Sequence, residues 1–268
     1  MLNNSRINVL IHGIREASEI LMAYYRNPDL AIVEKDDLSP VTEADMASNR
    51  YISDLLGREF PGIPLISEEG VKEDYSIRKT REYSWILDPL DGTKEFIAGN
   101  DEFAINLALL RLDRPVFGII SIPAKNVLYY AVKGEGSWKI TPDGTQQKLP
   151  IHRFDHQDTR KITALISRSH SGDGEKEYIK RLEEKGWFVD IRPTGSSYKH
   201  VLLAEGSAHV YAKPGMCWEW DTAPGQIILE EAGGSVVRMD NGEPLVYNKE
   251  IFSNPDLVMW APGVYIPL

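Results

Sequence analysis

The stretch Trp85-Ile86-Leu87-Asp88-Pro89-Leu90-Asp91-Gly92-Thr93 constrains this chain more than any other. Its apolar start reads as a buried strand, and it ends in two carboxylates bracketing a proline, then glycine, then threonine. Layered α/β proteins place ligands at strand ends, and the proline stiffens the following loop so that Asp88 and Asp91 can converge. Converging carboxylates repel unless a cation lies between them, and an all-oxygen donor set selects Mg²⁺. Gly92 permits close backbone approach. Thr93 opens a short helix over 93–97 whose N–H groups would face an anion, with the hydroxyl free to orient a water. A turn built from capping residues uses the same amino acids, so this segment alone leaves both readings open.

Two further acidic segments narrow the choice. Ile66-Ser67-Glu68-Glu69-Gly70 places a pair of acids at the end of another apolar run, and of the two we assign Glu68 to the same pocket. Trp218-Glu219-Trp220-Asp221-Thr222-Ala223 puts Asp221 at the start of a helix, where the structural alternative is an N-cap worth about 1 kcal/mol. Thr42-x-x-Asp45 has the spacing of a capping box with aspartate in place of Glu or Gln. Asp45 can cap the helix and still face the site.

Around these motifs the chain alternates recognisable elements. Ile7, Leu10, Ile11, Ile14, Ala17, Ile20, Leu21 and Tyr24 recur at helical spacing, with Asn27-Pro28-Asp29 as the stop. A second helix starts at Thr42 with Ala47, Tyr51, Leu55 and Leu56 on one face. Strand-like runs cover 64–66 and 83–87, and a meander covers 103–110, 116–122 and 127–132, with a further hairpin in 134–150. From about residue 160, strands (162–166, 187–191, 208–212) alternate with helices (175–185, 197–205, 221–232), and Gly233-Gly234 closes the last helix. The expected fold class is layered α/β (α+β). Residues 1–155 would form an N-terminal half with an antiparallel sheet and the acidic loops. Residues 156–268 would form an α/β half that contributes Asp221.

Composition sets the outer limits. At 268 residues and 42% hydrophobic, the chain can bury a large core. Its formal net charge of −10 argues against nucleic acid and anionic membranes as partners. An anionic substrate would then need bound cations to reverse the local field. No apolar run is long enough to cross a bilayer, and the first residues lack the pattern of a signal peptide. The single cysteine, Cys217, excludes an internal disulfide and fits a reducing cytoplasm. The six histidines show no zinc-ligand spacing.

Taken together, Ser67-Glu68-Glu69, Asp88-Pro89-Leu90-Asp91-Gly92-Thr93, Trp220-Asp221-Thr222-Ala223 and Glu230-Glu231-Ala232-Gly233-Gly234 resemble, in order, the motifs of the inositol monophosphatase superfamily of metal-dependent phosphatases. The resemblance implies an αβαβα sandwich like that of the inositol and sugar phosphatases. It also implies a site for two or three Mg²⁺ ions. Glu68, Asp88 and the Leu90 carbonyl would hold the first ion, Asp88, Asp91 and Asp221 the second, and Glu68 would reach a third. Thr93, with Asp45, would orient or deprotonate the attacking water, Glu68 being the rival for that role. The Gly92 and Thr93 N–H groups would hold phosphate oxygens.

Within the superfamily the chain looks most like the bacterial CysQ type of 3′(2′),5′-bisphosphate nucleotidase. The features are Thr93-Lys94-Glu95-Phe96, Ser39-Pro40-Val41-Thr42-Glu43-Ala44-Asp45, Gly195-Ser196-Ser197-Tyr198-Lys199 and Ser167-Arg168-Ser169-His170. Tyr198 for leucine and Pro224 for alanine or glycine depart from the pattern. The resemblance implies hydrolysis of adenosine 3′,5′-bisphosphate to AMP and phosphate, with lithium inhibition. Lys94, Arg168 and Lys199 are candidates to meet the second phosphate, with Ser196 beside them. The alternatives are an inositol or sugar monophosphatase with the same metal core, and an inactive metal- or nucleotide-binding protein. The expected partner is a small phosphate ester. Neither nucleic acid nor membrane insertion is expected, the state is monomer or homodimer, and the location is cytoplasmic, with peripheral association at the inner membrane left open.

Overall fold

The computed structural model describes residues 2–27, 32–34, 40–154, 160–169, 172–264 and 266. The expected helix stop at Pro28-Asp29, Ser39 of the family stretch and His170 lie outside these residues. In chain order the helices are α1 (Asn4–Tyr24), α2 (Glu43–Glu59), α3 (Tyr75–Arg78), α4 (Thr93–Ala98), α5 (Asp173–Glu184), α6 (Tyr198–Glu205) and α7 (Glu219–Glu231). A small ribbon pairs β1 (Ile32–Glu34) with β2 (Pro40–Thr42). A seven-stranded sheet follows in sequence order: β3 (Leu65–Ser67), β4 (Tyr83–Asp91), β5 (Ala104–Arg111), β6 (Arg114–Ile122), β7 (Val127–Val132), β8 (Gly136–Ile140) and β9 (Gln146–Lys148). Only its β3–β4 pair is parallel. The second sheet holds β10 (Lys161–Ser167), β11 (Phe188–Thr194), β12 (Val210–Lys213), β13 (Ser235–Arg238) and β14 (Leu257–Trp260), in the order β11-β10-β12-β14-β13.

Alternation along the first sheet explains why it is apolar on both faces. Trp85, Leu87, Ile105, Leu107 and Leu109 join the α1–α2 layer in one core. Ile86, Ala104, Ala108 and Leu110 join α6, α7 and the second sheet in the other. The helix α5 packs on β11 and β12, which completes an αβαβα stack. Asn3 caps α1 by accepting the Arg6 N–H at 2.9 Å. Its Leu10, Ile14 and Leu21 are fully buried, each worth about 1.5–3 kcal/mol.

The middle helix α7 belongs to both sheets, packing across β4 to β8 and against β13. Its approach to β6 is so close that a Cβ on Gly118 would stand 2.5 Å from Ile227 Cγ2 and 2.7 Å from the Pro224 carbonyl oxygen. The helix ends in a Schellman pattern: Gly233 N–H donates to Glu230 O and Gly234 N–H to Leu229 O, both at 2.9 Å.

Three expectations need correction. The strand β4 does not stop at Leu87 but runs through the acidic motif to Asp91, because β5 continues to pair with it. The buried face of α2 is Ala44, Ser48, Ile52, Leu55 and Leu56, with Ala47 and Tyr51 only half-buried. That shift turns Asp45 inward. Finally, Asp221 is not an N-cap: α7 begins at Glu219 after Trp218, which makes Asp221 the third helical residue.

Candidate metal centre and active site

The strand register brings the acids of β4 together. Residues three apart on a regular strand point to opposite faces. Pairing with β5 is interrupted between Asp88 and Asp91, and this bulge re-aims the two side chains. Asp221 arrives from the first turn of α7. One carboxylate oxygen of each of Asp88, Asp91 and Asp221 lies within 4.8 Å of the others.

Each acid is held by a backbone N–H. Leu90 N–H donates to Asp88 Oδ1 at 3.0 Å, Ser197 N–H to Asp91 Oδ2 at 2.5 Å, and Trp218 N–H to Asp221 Oδ2 at 2.8 Å. Asn106 Nδ2 adds a 3.2 Å bond to Asp91 Oδ2. Burial, then the charges of Glu68, Asp91 and Asp221, push the Asp88 carboxyl well above its usual range. Asp221 is raised by burial and then by Asp91 and Glu68, and Asp91 by burial despite its hydrogen bonds. Three crowded, oriented carboxylates with raised affinity for protons are a donor set that fits a hard divalent cation.

Glu68 follows β3, which runs parallel to β4, and its N–H donates to Leu87 O at 3.0 Å. It lines the same cavity, of about 320 Å³, as Asp91 and Asp221. It acts on Asp88 and Asp221 through its charge without joining their cluster.

Thr93 Oγ1 lies 3.3 Å from both Asp45 Oδ1 and the Leu90 carbonyl oxygen, either of which can accept its proton. Asp45 Oδ2 accepts from Thr42 N–H at 2.8 Å and Thr42 Oγ1 at 2.5 Å. Burial pushes the Asp45 carboxyl up to about 6. Like Asp221, Asp45 is the third residue of its helix and reaches back to the cap, so both acids combine a capping bond with a place at the site.

The expected second-phosphate groups are engaged within the protein. Arg168 donates Nε and Nη2 to the two Glu102 oxygens at 2.7 and 2.9 Å, and Nη2 also to Pro193 O at 3.0 Å. The bidentate grip expected for phosphate is thus directed at a carboxylate. Buried Lys199 donates Nζ to Thr194 O and Ser196 O at 3.1 and 2.9 Å. It holds a turn in which Ser196 has φ +47, a left-handed conformation costly for a side-chain-bearing residue. Gly92, with φ +86, meets this turn: a Cβ there would touch Ser196 Cβ at 3.0 Å. Lys94 is exposed on α4 and lines the cavity rim.

Comparison with known proteins places this geometry. The model of the inositol monophosphatase family matches residues 3–260. The chain belongs to the inositol monophosphatase family. It is 37% identical over 243 residues to the 3′(2′),5′-bisphosphate nucleotidase CysQ of Escherichia coli K12, covering 90% of this chain and 94% of that protein. The crystal structure of CysQ from Bacteroides thetaiotaomicron superposes with TM-score 0.83 at 37% identity, covering 96% of this chain and 97% of that one. A Thermotoga maritima IMPase shares the fold at TM-score 0.79 and 23% identity, covering 97% of this chain and 93% of that one.

As in the family at large, activity depends on metal, and the acidic cluster is where this chain can bind it. The two departures lie off the cluster. Tyr198 packs under Lys125, whose Nζ is 5.4 Å from the ring centroid, and Pro224 sits inside α7 against Gly118. Sequence reading missed Asn106, Glu102 and Lys213. The first two act across β5 and the Gly195 turn, and Lys213 on β12 lines the cavity. No local motif marks them; contacts between segments distant in sequence bring them in.

Proposed function

We propose that this chain is a Mg²⁺-dependent 3′(2′),5′-bisphosphate nucleotidase that hydrolyses adenosine 3′,5′-bisphosphate to AMP and phosphate. The observation that carries this reading is the convergence of Asp88, Asp91 and Asp221, with the Thr93–Asp45 pair beside them. The likeness to CysQ proteins supports the choice of substrate.

Glu68, Asp88 and the Leu90 carbonyl would hold one ion, Asp88, Asp91 and Asp221 a second, and Glu68 would reach a third. Bound Mg²⁺ would supply charge neutralisation of the phosphoryl oxygens and a more acidic water. Thr93 Oγ1 orients the attacking water and passes its proton to Asp45, whose raised carboxyl suits it to proton transfer near neutral pH. Glu68 is the alternative acceptor. The Gly92 and Thr93 N–H groups bind phosphate oxygens as charge develops. Glu68, Leu90, Asp91 and Asp221 would also contact the substrate, with Ser196 on the neighbouring turn. The second phosphate draws Arg168 from Glu102, or meets Lys94 at the rim and buried Lys199 at the cavity wall.

Residues 1–155 and 156–268 act as two halves that share the α7 layer. The single cysteine fits a reducing cytoplasm, and the chain would act there as a monomer or homodimer.

Phosphate release with Mg²⁺ on adenosine 3′,5′-bisphosphate, inositol 1-phosphate and fructose 1,6-bisphosphate tests the reading. Preference for the bisphosphate nucleotide is expected. Preference for the inositol or sugar ester would replace the substrate, and silence on all three would leave a metal- or nucleotide-binding protein.

A further inference from the structure

A buried polar network lies behind the metal centre and uses none of the residues assigned above. Glu219, the first residue of α7 and two before Asp221, is wholly buried. Its Oε2 accepts from Asn248 N–H at 2.6 Å. Its Oε1 accepts from Lys249 N–H at 3.0 Å and from Lys249 Nζ at 2.6 Å. The other side of the 248–249 turn is held by Arg78, which is 2% exposed. Arg78 Nη1 donates to Asn248 Oδ1 at 2.5 Å and Nη2 to Lys249 O at 2.8 Å, while Asn248 Nδ2 donates back to Arg78 O at 3.3 Å. Its guanidinium lies 4.2 Å from the Phe252 ring centroid.

The segment that follows this turn grips the start of α7 at further points. Phe252 O accepts the Glu219 N–H at 2.9 Å, and Asn254 Nδ2 donates to Trp218 O at 2.9 Å and Thr222 Oγ1 at 2.8 Å. Arg78 itself ends α3, in the segment that follows Glu68. A chain of bonds therefore runs from Arg78, through the 248–249 turn, to Glu219 and the helical turn that presents Asp221. Asn248 takes part from φ +58, a left-handed conformation that its contacts with Arg78 hold in place.

Resting on the metal reading above, we infer that Arg78 is a positioning residue for the metal centre: through Asn248 and Glu219 it fixes the helical turn that presents Asp221 and thereby sets divalent-ion affinity. Glu219 is paired directly with Lys249 Nζ, while the buried Arg78 supplies the donors to Asn248 Oδ1 and Lys249 O, so its loss leaves buried acceptors of the turn unpaired. Partners that orient a ligand from behind typically alter metal affinity by about 10–100-fold when lost.

The test is calorimetric titration of the full chain with MgCl₂ and with MnCl₂, alongside thermal melts. Arg78→Met is expected to weaken binding of both ions by about tenfold or more. Asn248→Gly keeps the left-handed backbone free of strain but deletes both side-chain bonds to Arg78. It is expected to weaken binding by a smaller factor and decides the question if Arg78→Met does not fold. Asp221→Asn serves as the reference for a lost ligand. Folded variants that lose melting temperature but bind both ions like the wild type would overturn the inference while leaving the metal reading intact. A wild-type chain that takes up neither ion would overturn both.

Discussion

The Gly195–Ser197 turn is flanked by two carboxylates with opposite fates. Glu102 accepts the Gly195 N–H at 2.7 Å, and Asp91 accepts the Ser197 N–H at 2.5 Å. Burial raises both, yet Glu102 ends below the usual range because Arg168 and the Gly195 bond outweigh it. Asp91 ends above, since its burial outweighs the bonds from Ser197 and Asn106 and the charge of Lys199. A single turn thus joins a compensated acid, which acts as scaffold, to an uncompensated cluster that calls for a cation. The difference is set by the deeper burial of Asp91 and by the guanidinium that stands opposite Glu102 alone.

The strongest way to break this comparison is to neutralise each acid in turn. Asp91→Asn is expected to lower phosphate release by about 10³-fold or more with the fold retained, the scale of losing a group that supports developing charge. Near-wild-type turnover would remove Asp91 from the metal site. Thr93→Val, which deletes the hydroxyl shared by Asp45 and Leu90 O, is expected to cost about 10²-fold in kcat with little change in KM. An unaltered kcat would hand the proton-transfer role to Glu68.

A third prediction concerns stability without metal. Asp88→Asn is expected to raise the melting temperature of the metal-free chain, by about 2–4 °C for each kcal/mol of relieved repulsion, while abolishing activity. A lower melting temperature would mean that the cluster is not repulsive.

The sign with pH follows from the same cluster. Asp88, Asp91 and Asp221 bind protons more readily folded than unfolded, so the stability they contribute is complete below the unfolded carboxylate range. It is lost as pH rises through their raised folded values. Mg²⁺ is therefore expected to raise the melting temperature more at about pH 8 than at about pH 5. An equal shift at both pH values would count against Mg²⁺ replacing protons there. The smallest effect is expected from Glu102→Gln, about fivefold or less in turnover, as for one partly exposed ion pair. A collapse of activity there would make Glu102 part of the machinery.

Much of this architecture was legible in the sequence. Apolar runs separated by turn signals marked the meander of β5 to β7, and acids after apolar runs marked Glu68, Asp88 and Asp91. What escaped was set by pairing between distant segments. Continued pairing with β5 carries β4 through Asp88-Pro89-Leu90-Asp91 and bulges it, and nothing in those residues announces a strand. Arg168 reads as a free phosphate ligand until Glu102, 66 residues away, is folded against it. Asp221 reads as a cap because helix propensity does not reveal that α7 begins two residues earlier. The strands β13 and β14 and the short α3 were also unread.

The contact between β6 and α7 has a consequence for anyone who mutates this protein blindly. Gly118 has no chemistry and lies on a strand that contributes nothing to the cavity lining. A single methyl group there would drive Ile227 and the Pro224 carbonyl aside and shift the helix that presents Asp221. A screen for lost phosphate release would recover position 118 beside the acids themselves. Its dead variants would differ from theirs in one respect: the carboxylates would all be present, aimed at the wrong point.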